Sequence, residues 1–82
     1  MQSDEDAIIG ARVREARVEA GYPVAREFAR RIGVDAAVIS RVENGKQSAG
    51  LALLRKISDA TGRPIDWFVN GPSGQATGNE AA

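Results

Sequence analysis

Apolar residues recur along this chain with the spacing of a helix, and short groups of glycine, proline and asparagine interrupt them. Ile9, Val13, Ala16 and Ala20 fall three or four apart up to Gly21, the period of one helical face. Ser3, with Asp6 three residues on, has the form of a capping box, so the pattern predicts a first helix over residues 4–20 that Gly21 stops. Tyr22 follows as a packing residue. Pro23 suits a first helical turn, where its missing N–H costs nothing, and a second helix is expected over residues 23–32, with Phe28 and Ile32 on one face.

The stretch 25–44, AREFARRIGVDAAVISRVEN, organises the rest. Asp35 is a good N-cap, able to accept from the free N–H groups of the next turn, for a third helix over Ala36–Glu43 whose Val38, Ile39 and Val42 share a face. Two helices crossing steeply need a small residue at the crossing, supplied by Ala29, and a residue that accepts positive φ at the turn, supplied by Gly33. This is a helix-turn-helix pattern. Asn44 and Gly45 form a stop, residues 46–50 a loop, and Leu54, Ile57 and Thr61 mark a fourth helix over Leu51–Thr61 closed by Gly62. Pro64 opens a short fifth helix through IDWFV, ended by Asn70 and Gly71. Residues 72–82 are rich in small and polar residues with nothing to bury, so a disordered tail is expected there, and residues 1–71 form one domain.

Eighty-two residues allow a single modest core. There is no cysteine and no histidine, which removes disulfides and most acid–base or metal chemistry. No nucleophile–base pair or phosphate-binding glycine loop can be assembled either, so neither catalysis nor a cofactor is expected. An acidic N-terminus and the lack of a long apolar run predict a soluble cytoplasmic protein with no membrane association. Net charge is zero, with eleven basic and eleven acidic residues, but it is unevenly placed. From Gly10 to Lys56 there are ten Lys/Arg against five acids, and a basic face on a neutral molecule suits a nucleic-acid partner.

The frame of Ala29, Gly33, Ile39 and Val42, and the IDWFVNG run, resemble the phage repressor and Cro family of helix-turn-helix proteins over about Ile9 to Gly71. The resemblance implies an all-α, five-helix lambda-repressor-like DNA-binding domain. Compared with the commonest spacing of that family, the stretch from Gly21 to Ala29 carries one extra residue, which predicts a lengthened or shifted start of helix 2.

It also implies roles for particular residues. The polar side of helix 3 carries Ala36, Ala37, Ser40, Arg41 and Asn44. In the family that side enters the major groove, which makes Ala36, Ala37, Ser40 and Arg41 the base-contacting candidates. Arg41 is the strong reader, since a guanidinium pairs in bidentate fashion with guanine, while the alanines offer only methyl contacts to thymine. Lys46, Gln47 and Ser48 occupy the loop that lies along the sugar–phosphate backbone in the family. With Asn44, and with Arg26 and Arg30 of helix 2, they are the phosphate candidates, positioning without specifying. Arg17 and Glu43 match an arginine and a glutamate that pair in phage repressors, fixing helix 3 against helix 1 with the arginine near the DNA backbone. Helix 5 is too short to turn Ile65, Trp67, Phe68 and Val69 all inward. Ile65, Phe68 and Val69 are therefore the candidates for a two-fold interface.

The function implied is sequence-specific transcriptional regulation of double-stranded DNA, by operator occupancy as a homodimeric repressor. A protein-interaction module of the same fold, an antitoxin or regulatory subunit with a protein partner, stays open beside it. Ala36, Ala37 and Val24 favour that alternative, and Arg41, Lys46 and the uneven charge favour DNA.

Overall fold

The order of elements in the computed structural model is α1 (Asp4–Glu19), α2 (Ala25–Ile32), α3 (Ala36–Glu43), α4 (Leu51–Thr61) and α5 (Ile65–Glu80). The structure describes residues 4–80, with side chains as far as residue 72, and no strand occurs among them. Ser3, the expected cap of α1, lies outside the described residues. So do the side chains of the expected tail from residue 73 onward, although the backbone there is helical to Glu80.

α1 runs with the dipole preference of a helix: Asp4, Glu5 and Asp6 occupy its first turn and Arg17 its last. It packs on α3, α4 and α5, while α2 packs on α3 and α4. The core joins Val13 and Ala16 of α1, Phe28 and Ala29 of α2, Ile39 and Val42 of α3, Leu54 and Ile57 of α4, and Trp67 and Phe68 of α5. α1 and α3 approach closely at Gly10. A Cβ on Gly10 would stand 2.1 Å from the Val42 carbonyl oxygen, so only glycine lets these two backbones touch.

α2 begins at Ala25, two residues later than the sequence predicts. The cause is upstream. The Tyr22 N–H donates to the Arg17 carbonyl (3.0 Å) and the Arg17 Nη1 donates to the Tyr22 carbonyl (2.7 Å), tying the chain to the end of α1. Val24 is still extended (φ −106°, ψ 117°), and its carbonyl accepts the first helical bonds from Glu27 and Phe28. Tyr22 packs edge-on against Phe28, with ring centroids 5.2 Å apart.

The turn between α2 and α3 hangs on Gly33, at φ 76° and ψ 35°. Its N–H donates to Arg30 (3.3 Å) and the Val34 N–H to Ala29 (2.9 Å), closing α2 as a left-handed cap. No atom crowds the place where a Cβ would sit, so the requirement is one of backbone conformation alone.

α5 departs from the expected short helix. Its first segment ends at Gly71 (φ 74°, ψ 177°), as the Asn70–Gly71 pair predicts, but the chain resumes a helical course at Pro72. Arg12 closes the first segment from outside: its Nη1 donates to the carbonyls of Phe68 (3.0 Å) and Val69 (3.1 Å). Carbonyls at a helix end lack partners in the next turn, and a cation there also complements the dipole.

Candidate nucleic-acid interface

α3 is a rigid platform because both its ends and one of its faces are held. At its start the Asp35 carboxylate accepts from the Ala37 N–H at 2.9 Å, a side-chain N-cap. Ile39 and Val42 are buried, and Val38 packs partly against the core. At its end Glu43 takes a two-point ion pair from Arg17: Nε to Oε2 at 2.7 Å and Nη2 to Oε1 at 3.1 Å. The Arg17 Nη1 is spent on the Tyr22 carbonyl, and the whole residue is 5 % exposed. Arg17 thus locks α1, α3 and the start of the α1–α2 connection together. Its buried side chain spends a bond from each of its three nitrogens inside the protein, which makes its part in this structure architectural.

The opposite side of α3 carries Ala37, Ser40, Arg41 and Asn44, all exposed. Ala36 differs from the expectation for a base-contacting residue. It is half-buried and packs against the core, because the turn at Gly33 brings the beginning of α3 down onto its neighbours. Arg41 is exposed within this row, and its Nε donates to Gln47 Oε1 at 2.8 Å. Asn44 folds back, donating from Nδ2 to the Ser40 carbonyl at 2.9 Å, so its amide serves its own helix end.

The loop after α3 is drawn against α1. The Lys46 N–H donates to the Arg41 carbonyl at 2.8 Å, and the Ser48 hydroxyl donates to the Asp6 carboxylate, lying 2.8 and 2.9 Å from its two oxygens. With its one proton on a carboxylate, Ser48 is an anchor of the loop, and an approaching phosphate would meet the acid behind it. Lys46 is exposed and Gln47 half-buried. Arg26 and Arg30 are exposed on α2, whereas Arg31 donates from Nε to the Tyr22 hydroxyl at 3.2 Å.

The structure brings Arg41, Gln47, Lys46, Ser40 and Asn44 together around the end of α3. The signals missed in the sequence are long-range ones. Asp6 reaches Ser48 across 42 positions, and Arg12 reaches Phe68 across 56; neither pairing carries a local pattern. A shallow groove of about 240 Å³ between α2 and α4, lined by Arg31, Ile32, Lys56, Asp59 and Ala60, includes no residue of α3.

The expected dimer residues separate. Phe68 is fully buried and Trp67 is 5 % exposed, so Phe68 cannot meet a second chain without unpacking the core. Counting the faces of helix 5 alone leaves out its neighbours. Packing of α1 on α5, with Arg12 at its end, supplies the missing cover. Ile65 packs partly on the core, and Val69 remains 40 % exposed. Arg63 lies over the Trp67 ring, 4.0 Å from its centroid, and pairs with Glu19, which keeps the entry to α5 against α1.

A capped, core-anchored helix presented after a sharp glycine turn is the arrangement of a helix-turn-helix protein. Residues 13–68 match the helix-turn-helix family, and the chain belongs to it, on the lambda-repressor and Cro-like side. Among solved structures it is similar to the hypothetical transcription factor NHTF from Neisseria. Identity is 25 %, the match covers 94 % of this chain and 91 % of that one, and the TM-score is 0.76. No curated protein sequence matches this chain. Family and fold together make it a DNA-binding regulatory protein. Among the described residues no helix is long and apolar enough to cross a membrane.

Proposed function

We propose that this protein is a sequence-specific transcriptional repressor, acting in the cytoplasm by occupying operator DNA as a homodimer. The observation that carries the reading is the exposed row Ala37, Ser40 and Arg41 on a helix that Asp35 caps and the Arg17–Glu43 pair immobilises. A rigid helix of this kind can place a guanidinium against the edge of a guanine in the major groove. Lys46, Arg26 and Arg30, all exposed, then serve the phosphates on either side. The similarity to a protein described as a transcription factor supports the same reading.

A single helix-turn-helix unit reads few base pairs, and a two-fold dimer sets two such helices about 34 Å apart, one turn of DNA. Val69, with the exposed edge of Ile65, is the contact we assign to the second chain. Selection of bound sequences from random duplex DNA tests the whole reading, with a palindromic consensus as the expected result. Val69→Asp should give a folded monomer by sedimentation that loses the palindromic preference. A wild-type protein that is monomeric both free and on its selected DNA would remove the dimer, and an absence of any enriched sequence would remove the repressor.

A second reading has its own support. Val24, 45 % exposed just before α2, and the exposed Ala37 offer apolar ground to a protein partner. DNA affinity that does not change between low and physiological salt would favour it, since phosphate contacts release counterions.

A further inference from the structure

We propose that Gln47 is the positioning residue of the base-reading arginine: its side-chain oxygen holds the Arg41 Nε–H, leaving the two terminal nitrogens of the guanidinium to a guanine. This reading replaces the phosphate role expected for Gln47, and it rests on the DNA-binding reading above. The contact is 2.8 Å, with Gln47 half-buried and Arg41 exposed.

Such a contact between two flexible side chains would mean little if both were loose. Gln47, however, sits in a segment held on both sides. The residue before it is fixed by the Lys46 N–H on the Arg41 carbonyl at 2.8 Å. The residue after it is fixed by the Ser48 hydroxyl on Asp6 at 2.8 and 2.9 Å. Gly45, buried at φ 72°, lies directly against Ala7 of α1. Gln47 is thus a fixed point referenced to α1, and Arg41 is tethered to it.

Guanidinium carries five N–H donors, of which Nε holds one. Engaging that one leaves the four on the terminal nitrogens, a pair of which matches O6 and N7 of guanine. Arginine loses considerable rotamer freedom when it docks, and a tether already in place before docking removes part of that cost. The benefit falls on specific binding alone, because a phosphate contact does not require this orientation.

The test uses the full chain with wild type, Gln47→Met, Gln47→Glu and Arg41→Ala. The probes are the duplex that the wild type selects and a scrambled duplex of equal length. Methionine keeps the length of glutamine without its amide oxygen; glutamate keeps the acceptor. In free protein, the Arg41 Nε–H signal in nitrogen-15 NMR should be slow to exchange in wild type and in Gln47→Glu, and fast in Gln47→Met. Gln47→Met should lose about three- to tenfold in the ratio of selected to scrambled affinity, with scrambled affinity and melting temperature unchanged. Gln47→Glu should keep the ratio while weakening both duplexes alike through its charge.

A Gln47→Met protein with full discrimination, beside an Arg41→Ala protein that has lost it, overturns the positioning role and leaves the base reader intact. Equal losses on both duplexes in Gln47→Met make Gln47 a phosphate ligand and overturn the proposal. If Arg41→Ala itself keeps the wild-type ratio, it is the base-reading assignment that falls, and the Gln47 role with it. The NMR comparison reports the tether independently of DNA, and an Nε–H equally fast in all Gln47 variants and wild type also overturns it.

Discussion

Arg17 and Arg41 carry the same side chain into opposite surroundings. Arg17 is 5 % exposed, with Nε and Nη2 on Glu43 and Nη1 on the Tyr22 carbonyl. Arg41 is exposed, with one bond from Nε to Gln47. What separates an architectural arginine from a reading one is how many donors the fold consumes. A buried guanidinium must be paired, because an unpaired charge away from water is costly. A reading guanidinium must be left with donors to spare and held only enough to aim it. The two lie near opposite ends of one causal line: the Arg17–Glu43 pair holds the end of α3 in place, and α3 in turn presents Arg41.

The largest way to break this contrast is Arg17→Met. It strands the Glu43 carboxylate in a site where its side chain is 8 % exposed, and removal of one partner of a buried pair costs about 3–5 kcal/mol. Urea denaturation should show this as a lowered midpoint, and Arg17→Met with Glu43→Leu should recover much of it. A single variant as stable as wild type would show that the pair is not what fixes α3.

Next comes Gly33→Val, which places a Cβ at φ 76°. The left-handed conformation costs a residue with a side chain roughly 1–2 kcal/mol, and nothing crowds the site to add to it. The whole effect should appear as lost thermal stability, with little change in base preference once the folded fraction is taken into account. A Gly33→Val protein melting like wild type would mean that the α2–α3 turn is made differently.

Arg41→Ala inverts the pattern. Stability should stay within about 0.5 kcal/mol of wild type, while binding to the selected duplex weakens by about 1–3 kcal/mol and one base pair per half-site loses its preference. Destabilisation comparable to Arg17→Met would erase the distinction between the two arginines. The smallest effect belongs to Lys46→Ala, which should weaken all sequences alike and lower the salt slope by about one unit. An unchanged slope in a titration series would remove Lys46 from the phosphate contacts.

The fold was legible where its causes are local. The glycine at 33, the Asp35 cap and the apolar spacing of Val38, Ile39 and Val42 each act within a few residues, and α3 and α4 begin and end where those signals put them. The pairing of Arg17 with Glu43 is implied by likeness to a family and by nothing in their local surroundings, and the structure joins them across 26 positions. The extra residue between Gly21 and Ala29 predicts a shifted start of α2; that the shift is two residues, to Ala25, goes with the Arg17–Tyr22 bond that holds the chain to the end of α1.

By itself, then, the sequence determined five helical segments, the sharp turn at Gly33 and an exposed polar row that includes Arg41, because propensity, capping and periodicity are properties of neighbouring residues. Tertiary structure decided which polar groups are already used. Ser48 is taken by Asp6, Asn44 by Ser40, Arg12 by the end of α5's first segment and Gln47 by Arg41. It also decided that Phe68 belongs to the core, where α1 covers it, while Val69 beside it stays in solvent. The Ser48 and Arg12 bonds and the burial of Phe68 depend on partners brought from distant positions by packing, which no local pattern specifies, while the Asn44 and Gln47 bonds join near neighbours whose side chains only the folded turn aims at each other.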